Sequence, residues 1–274
     1  MDRADQPTLP YNNAYVYGST GRGVNVYLID SGINYGHQDF DNRARLGADF
    51  VHDGFQGFDC LGHGTHVAAI IGGRIHGIAK EANLYSVRVY DCDGFGTTVS
   101  DIIAAIEWVT FHHIKPAVAN MSFGTPTGSA AMDTAVKHLI QAGVTSVVAA
   151  GNSNQSAYTF SPARVPEAIT VAASDFFDRR APFSNYGFAV DLFAPGDDIT
   201  SAWCTSATAT LTLSGTSQAA PHVTGGAAIY LQNNPSASPA EVHDYILKTS
   251  TKGQISDAGF LSPNRLLYVP FSRF

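Results

Sequence analysis

Three short segments of this 274-residue chain carry side chains that could act together on a polar bond. In Ile29-Asp30-Ser31-Gly32 a carboxylate ends an apolar, β-branched run, and Gly32 behind it is free to take positive φ. Such a carboxylate is held rigidly and partly dehydrated, although an Asp that only caps a turn would look the same. In Gly62-His63-Gly64-Thr65-His66 the glycines permit close approach to His63, and Val67 to Ile71 continue as a buried helix. His63 and His66 stand i, i+3, so a metal pair is an alternative, but no HExxH pattern supports it. The third segment, Gly215-Thr216-Ser217-Gln218-Ala219-Ala220-Pro221-His222, sets Ser217 between a tight turn and a helix rich in small residues. A serine hydroxyl is a weak nucleophile until a base takes its proton, and Ser217 taken alone could be an ordinary helix cap. An acid at a strand end, an imidazole opening one helix and an alcohol opening another are together the parts of a charge-coupled nucleophile. Asn152, in Ala149-Ala150-Gly151-Asn152, could donate its amide to an oxyanion beside the backbone N–H of Ser217; its plainer role is that of a turn former.

The elements that must position these residues follow from apolar periodicity. Residues 24–29, 84–89, 118–121, 144–149, 169–172 and 190–193 form near-continuous apolar runs, as strands covered on both faces do. Between them, Ile102, Ile103, Ile106 and Val109 form a helical stripe over residues 99–111, opened by Thr98 and Asp101 as a capping box. A second helix is predicted over residues 129–141, stopped by Gly143, and a third starts at Ser238-Pro239 with Glu241. Strand and helix in alternation predict the α/β class: a single domain over residues 1–274 with a mostly parallel, twisted central sheet covered by helices on both faces. Ligands bind at the carboxyl ends of strands in such sheets, and Asp30, Ser122 and Asn152 all fall there.

Composition narrows the function. Charged residues make up 14% of the chain and the net charge is −7, with no basic run able to track a phosphate backbone, so nucleic acid is not the expected partner. No stretch approaches the ~18 apolar residues that cross a bilayer, and no membrane partner is expected. Met1 opens on polar residues, which leaves two alternatives: an intracellular protein, or a mature, secreted domain whose leader was removed. Three cysteines leave an odd one over, and Cys60 could pair with Cys92 if the fold brings them together.

The chain resembles the subtilisin-like serine proteases, in the proteinase K group and its bacterial, aqualysin-like branch. The likeness rests on Asp30-Ser31-Gly32, Gly62-His63-Gly64-Thr65-His66, Ala149-Ala150-Gly151-Asn152 and Gly215-Thr216-Ser217, with Ser161-Pro162-Ala163 and Phe183-Ser184-Asn185-Tyr186-Gly187 behind them. The resemblance implies a serine endopeptidase working through an acyl-enzyme, with Asp30, His63 and Ser217 as triad and Asn152 in the oxyanion hole. It implies an extended protein or peptide substrate between two edge segments, Gly94-Phe95-Gly96 and Ser122-Phe123-Gly124. Ala149, Ala150 and Gly151 would line a first pocket that takes large apolar or aromatic side chains. Structural calcium, one or two ions, is implied at Asp191 with the carbonyls of Pro166 and Ala168, and at Asp2, Asp5, Gln6 and Asn12; no organic cofactor is. Cys60 and Cys92 match a disulfide of that branch, while Tyr158 and Ala189 stand where a second would be, leaving Cys204 free. The family also implies a monomer, released from an N-terminal propeptide and secreted.

Two departures bear on function. Gln218 stands where the family has Met after the nucleophile, and Thr125 replaces a Gly beside the substrate strand. They are the support for a different class, a pseudoprotease that binds extended peptides with little turnover. An esterase or lipase is disfavoured, because Ser217 lacks the GxSxG elbow and the order is Asp, His, Ser.

Overall fold

The computed structural model describes residues 1–94 and 97–270. Eleven strands are formed among them: β1 Asn25–Asp30, β2 Ala44–Asp49, β3 Asn83–Arg88, β4 Ala117–Met121, β5 Thr145–Ala149, β6 Ile169–Ser174, β7 Leu192–Pro195, β8 Ile199–Ala202, β9 Thr210–Leu213, β10 Thr251–Lys252 and β11 Arg265–Leu266. The helices are α1 His63–Gly72, α2 Val99–His112, α3 Ala130–Gln141, α4 Thr216–Asn233 and α5 Pro239–Thr249. Nine strands join one sheet in the order β10-β11-β7-β6-β5-β4-β1-β3-β2, and every pairing is parallel except that of β10 with β11. The α/β architecture expected from alternating strand and helix is present.

Side-chain alternation along the strands divides the interior into two cores. Val26 and Leu28 of β1 face one side, with α1, α4 and α5; Tyr27 and Ile29 face the other, with α2 and α3. Burial on both faces explains why these strands read as unbroken apolar runs. The capping boxes expected at Thr98 and Asp101 and at Ser238 and Glu241 are both formed. Strands β2, β8 and β9 were not foreseen. β2 lies at the sheet edge, mostly open to solvent, with a register shift between Leu46 and Ala48, so it carries no apolar run. The β8–β9 hairpin alternates Thr and Ser with apolar residues over strands of only four, and its inner Ser201 is buried by donating to the His66 carbonyl.

Close packing sets α1 and α4 against the carboxyl end of the sheet. An added Cβ at Gly64 would lie 2.1 Å from the Gly32 carbonyl oxygen, and one at Gly62 only 2.4 Å from the Trp203 ring. Within α4, a Cβ at Gly225 would meet Ile78 at 2.5 Å. The two ends of the described chain meet as well. Val269 N–H donates to the Ala4 carbonyl at 2.6 Å, and the buried Arg3 pairs with the buried Asp178 at 2.8 Å.

Candidate active site

Asp30 is the last residue of β1 and is 1% exposed. Its Oδ1 accepts from the Ser31 N–H and faces His63 Nδ1, each at 2.7 Å. Oδ2 is buried with no partner among the described residues, so the carboxylate leans on the imidazole for compensation of its charge. His63 opens α1, and its turn is held from beneath by Asp59, which is fully buried. Asp59 Oδ1 accepts from the Gly62 and Leu61 amides and the Ser31 hydroxyl, and Oδ2 from Thr65 N–H and Oγ1, all within 2.6–3.1 Å. Gly64 N–H completes the join by donating to Ser31 Oγ at 2.8 Å. Burial works to lower the His63 pKa, but the charge of Asp30 and its hydrogen bond, with Asp59 behind, outweigh that and hold it above 6.5.

Asp30 and Arg88 are paired across β1 and β3. Arg88 is wholly buried, with its guanidinium on Asp53 at 2.6 Å and Asp49 at 3.2 Å and its Nε donating to the Ser31 carbonyl at 3.2 Å. Partners this distant leave no mark in local sequence, and Arg88 was not picked out from it; nor was Asp59, although Leu61, Gly62 and Thr65 are close to it in the chain.

Ser217 is the second residue of α4 and half-buried. Its hydroxyl donates to the Ser122 carbonyl at 2.8 Å, and no hydrogen bond joins it to His63 in this conformation. A buried relay ties the helix start to β4. Thr224 Oγ1 donates to Asn120 Oδ1 at 2.8 Å, Asn120 Nδ2 to Ser122 Oγ at 2.9 Å, and that hydroxyl to the Ser217 carbonyl at 3.1 Å. Asn152 follows β5 and is exposed, but its Oδ1 accepts from both N–H and Oγ1 of Thr216 at 2.8 Å. With the oxygen engaged, Nδ2 is turned outward. An added Cβ on Gly215 would lie 3.2 Å from Asn152 Nδ2 and 3.6 Å from Ser217 N, so both donors face one hollow. Sequence alone singled out Ser217 and Asn152 but gave Thr216 no role of its own.

Gln218 is 2% exposed, and no hydrogen bond reaches its side-chain amide among the described residues. Its Oε1 lies at the same hollow, 2.8 Å from the added Cβ on Gly215. His66, the second member of the considered metal pair, has its Nε2 at 3.1 Å from the Ile199 and Leu211 carbonyls, and burial lowers its pKa to about 4. Among the described residues no cluster of three or more His, Cys, Asp or Glu gathers as a metal site.

The expected substrate edges are described in part. Ser122, Phe123 and Gly124 continue β4 toward Thr125, whose N–H donates to the Ser161 carbonyl at 2.8 Å and whose carbonyl accepts the Ser161 N–H at 3.2 Å. Ala149 and Ala150 are buried, and Gly151 takes φ +101°. Gly94 takes φ +76°; Phe95 and Gly96 lie outside the described residues. Cys60 and Cys92 are bridged, and Cys204 is a free thiol whose pKa burial raises to about 11.

The two expected calcium sets differ in what they offer. Pro166 and Asp191 border a cavity of about 400 Å³, roofed by the Tyr158 and Phe188 rings 4.9 Å apart. Asp191 Oδ2 already accepts the Thr170 N–H at 2.8 Å, and His243 stands 3.3 Å from Oδ1. Near the N-terminus, Asp2 Oδ2 accepts from the Asn13 N–H, Asp5 Oδ2 from the Val16 N–H and Asn12 Oδ1 from the Ala14 N–H, while Gln6 donates to Asp2. Asp5 Oδ1 is buried without a partner, and burial, with Asp2 adding, raises its pKa. An orphaned oxygen between mutually repelling carboxylates fits a hard cation.

A sequence model described as the Subtilase family matches residues 21–264. The chain is 54% identical over 271 residues to an "Extracellular serine proteinase" of Thermus sp. (strain Rt41A), covering 99% of this chain and 66% of that protein. It is 47% identical over 268 residues to "Alkaline serine exoprotease A" of Vibrio alginolyticus, covering 98% of this chain and 49% of the relative. The chain thus spans about half to two thirds of the length of these curated relatives. The crystal structure of a cold adapted subtilisin-like serine proteinase superposes with a TM-score of 0.94 at 45% identity, covering 98% of this chain and 96% of that one.

Proposed function

We propose, from the premise that this chain belongs to the subtilase family, that it is a serine endopeptidase with Ser217 as nucleophile, His63 as base and Asp30 as the group that orients the imidazole. The observation that carries this is the 2.7 Å contact of His63 Nδ1 with a buried Asp30 carboxylate, at the carboxyl end of the strands where Asn152 also lies and where Ser217 opens α4. The Ser217 hydroxyl leaves the Ser122 carbonyl by rotation about Cα–Cβ as substrate docks, and passes its proton to His63 Nε2 while its oxygen attacks the scissile carbonyl carbon. Asp30 stabilises the imidazolium that forms. The tetrahedral oxygen is received by Asn152 Nδ2 and Ser217 N–H. Collapse expels the amine, which takes the proton from His63, and water then hydrolyses the ester by the same route in reverse.

Substrate binds in extended form against Ser122-Phe123-Gly124 and, on the other side, the segment from Gly94 through Phe95 and Gly96. Backbone pairing of that kind is largely indifferent to sequence, so selectivity falls to the pocket bordered by Ala149, Ala150 and Gly151. Their small side chains favour large apolar or aromatic residues before the scissile bond. Calcium is structural, held by Asp2, Asp5, Gln6 and Asn12, with Asp191, Pro166 and Ala168 as a second set. The extracellular setting named for the Thermus relative and the Cys60–Cys92 bridge support work outside the cytoplasm.

The test is stoichiometric labelling by a fluorophosphonate together with cleavage of a peptide amide having an aromatic residue before the scissile bond. Both are expected of the native chain, and Ser217→Ala is expected to lose labelling and about 10⁶-fold in kcat. Labelling without turnover, or turnover that survives Ser217→Ala, would sink the proposal.

A further inference from the structure

Asn152 poses a positioning problem. Its side chain is exposed, so no packing fixes it, and the grip of Thr216 on Oδ1 works only if the backbone of residues 150–155 delivers the amide to one place. The residue beneath that turn is Asn185, which is wholly buried. Its Oδ1 accepts from the amides of Ser153 and Gln155, each at 3.0 Å. Its Nδ2 donates to the Ala150 carbonyl at 2.8 Å, and its own N–H to the Gly151 carbonyl at 2.9 Å. One side chain therefore spans the turn on both sides of Asn152. The turn also closes directly over it: an added Cβ at Gly151 would lie 2.3 Å from Asn185 Nδ2, and Gly151 takes φ +101°, where a side chain would be strained.

We propose that Asn185 is a positioning residue for the oxyanion donor, setting the backbone under Asn152 so that Nδ2 meets the tetrahedral oxygen; this rests on the endopeptidase proposal above. A donor displaced by a fraction of an ångström still lets substrate dock along the groove but stabilises the transition state less, so the loss belongs in kcat. Asn185→Asp keeps both acceptor bonds and turns the donor to Ala150 into a repelling oxygen, whereas Asn185→Ala removes all three side-chain bonds. Each is expected to lower kcat about tenfold or more, part of the ~10²–10³ that a main donor supplies, with KM within twofold. Affinity for a peptidyl boronate should fall by the same factor as kcat/KM. The deciding measurement is a double-mutant cycle with Asn152→Ala, in which neither change at 185 should lower kcat further by more than twofold. Equal losses in both backgrounds, or no loss in the native background, would overturn the inference. A cooperative thermal unfolding transition reports folding, and if Asn185→Ala shows none, Asn185→Asp carries the test. A native chain that neither labels nor turns over overturns the endopeptidase proposal and this one together; a native chain that does both, with variants that follow the overturning pattern, overturns this one alone.

Discussion

At the scale of single residues, the proposed chemistry turns on which protonation state His63 holds. Asp30 keeps its pKa above 6.5, and a base must be neutral to accept the Ser217 proton. The acid limb of kcat/KM is therefore expected to have its midpoint above 6.5 and activity to fall as pH drops through it; a midpoint below 6.5 would contradict the coupling. The types and order of Asp30, His63, Ser217 and Asn152 were legible because each stands within two residues of a glycine and close to an apolar run. Their supports were not. Thr216, Asn185 and Arg88 act on partners 35 to 64 positions away, and Asp59 joins its near neighbours Leu61, Gly62 and Thr65 to Ser31, 28 positions away, through contacts that exist only once the sheet has formed. Gln218 was legible as a polar intruder, and the structure adds that its Oε1 lies at the hollow faced by Asn152 Nδ2 and Ser217 N–H, with no hydrogen-bond partner among the described residues.

At the scale of elements, the start of α1 is held by one carboxylate where most helices use a neutral cap. Asp59→Ala would strand three backbone amides and two hydroxyls in a site from which water is excluded. A loss of about 3–5 kcal/mol in unfolding free energy is expected by denaturant titration, with activity falling because His63 rides on that turn. A loss below about 1 kcal/mol would show that the turn holds itself. The central strands and α2, α3 and α5 were legible because burial on two faces, or on one helical stripe, writes itself into apolar spacing. β2 is mostly open to solvent, and the β8–β9 hairpin has strands of only four residues, so neither carries an apolar run long enough to stand out.

At the scale of the whole molecule, stability is tied to pH and to ions. His66 and His222 are held neutral by burial, with pKa values lowered to about 4 and about 3. Below 6.5 the unfolded chain takes up protons at these positions and the folded chain does not, so stability must fall as pH falls. Each contributes on the order of 3 kcal/mol by pH 4, to be read as a falling Tm between pH 6.5 and 4; a flat Tm there would refute the assignment. Chelation by excess EDTA is expected to lower Tm as well, because it would leave Asp2 and Asp5 facing each other around an orphaned oxygen, and an unchanged Tm would count against calcium at either set. The meeting of Ala4 with Val269 has a consequence of another kind. Because the two ends of the described fold lie a hydrogen bond apart, they can be joined by a short link without displacing either. A circular permutant, closed by a short Gly-Ser linker and reopened at the exposed Pro235 and Ser236 between α4 and α5, should assemble the same catalytic edge and label as the native chain does.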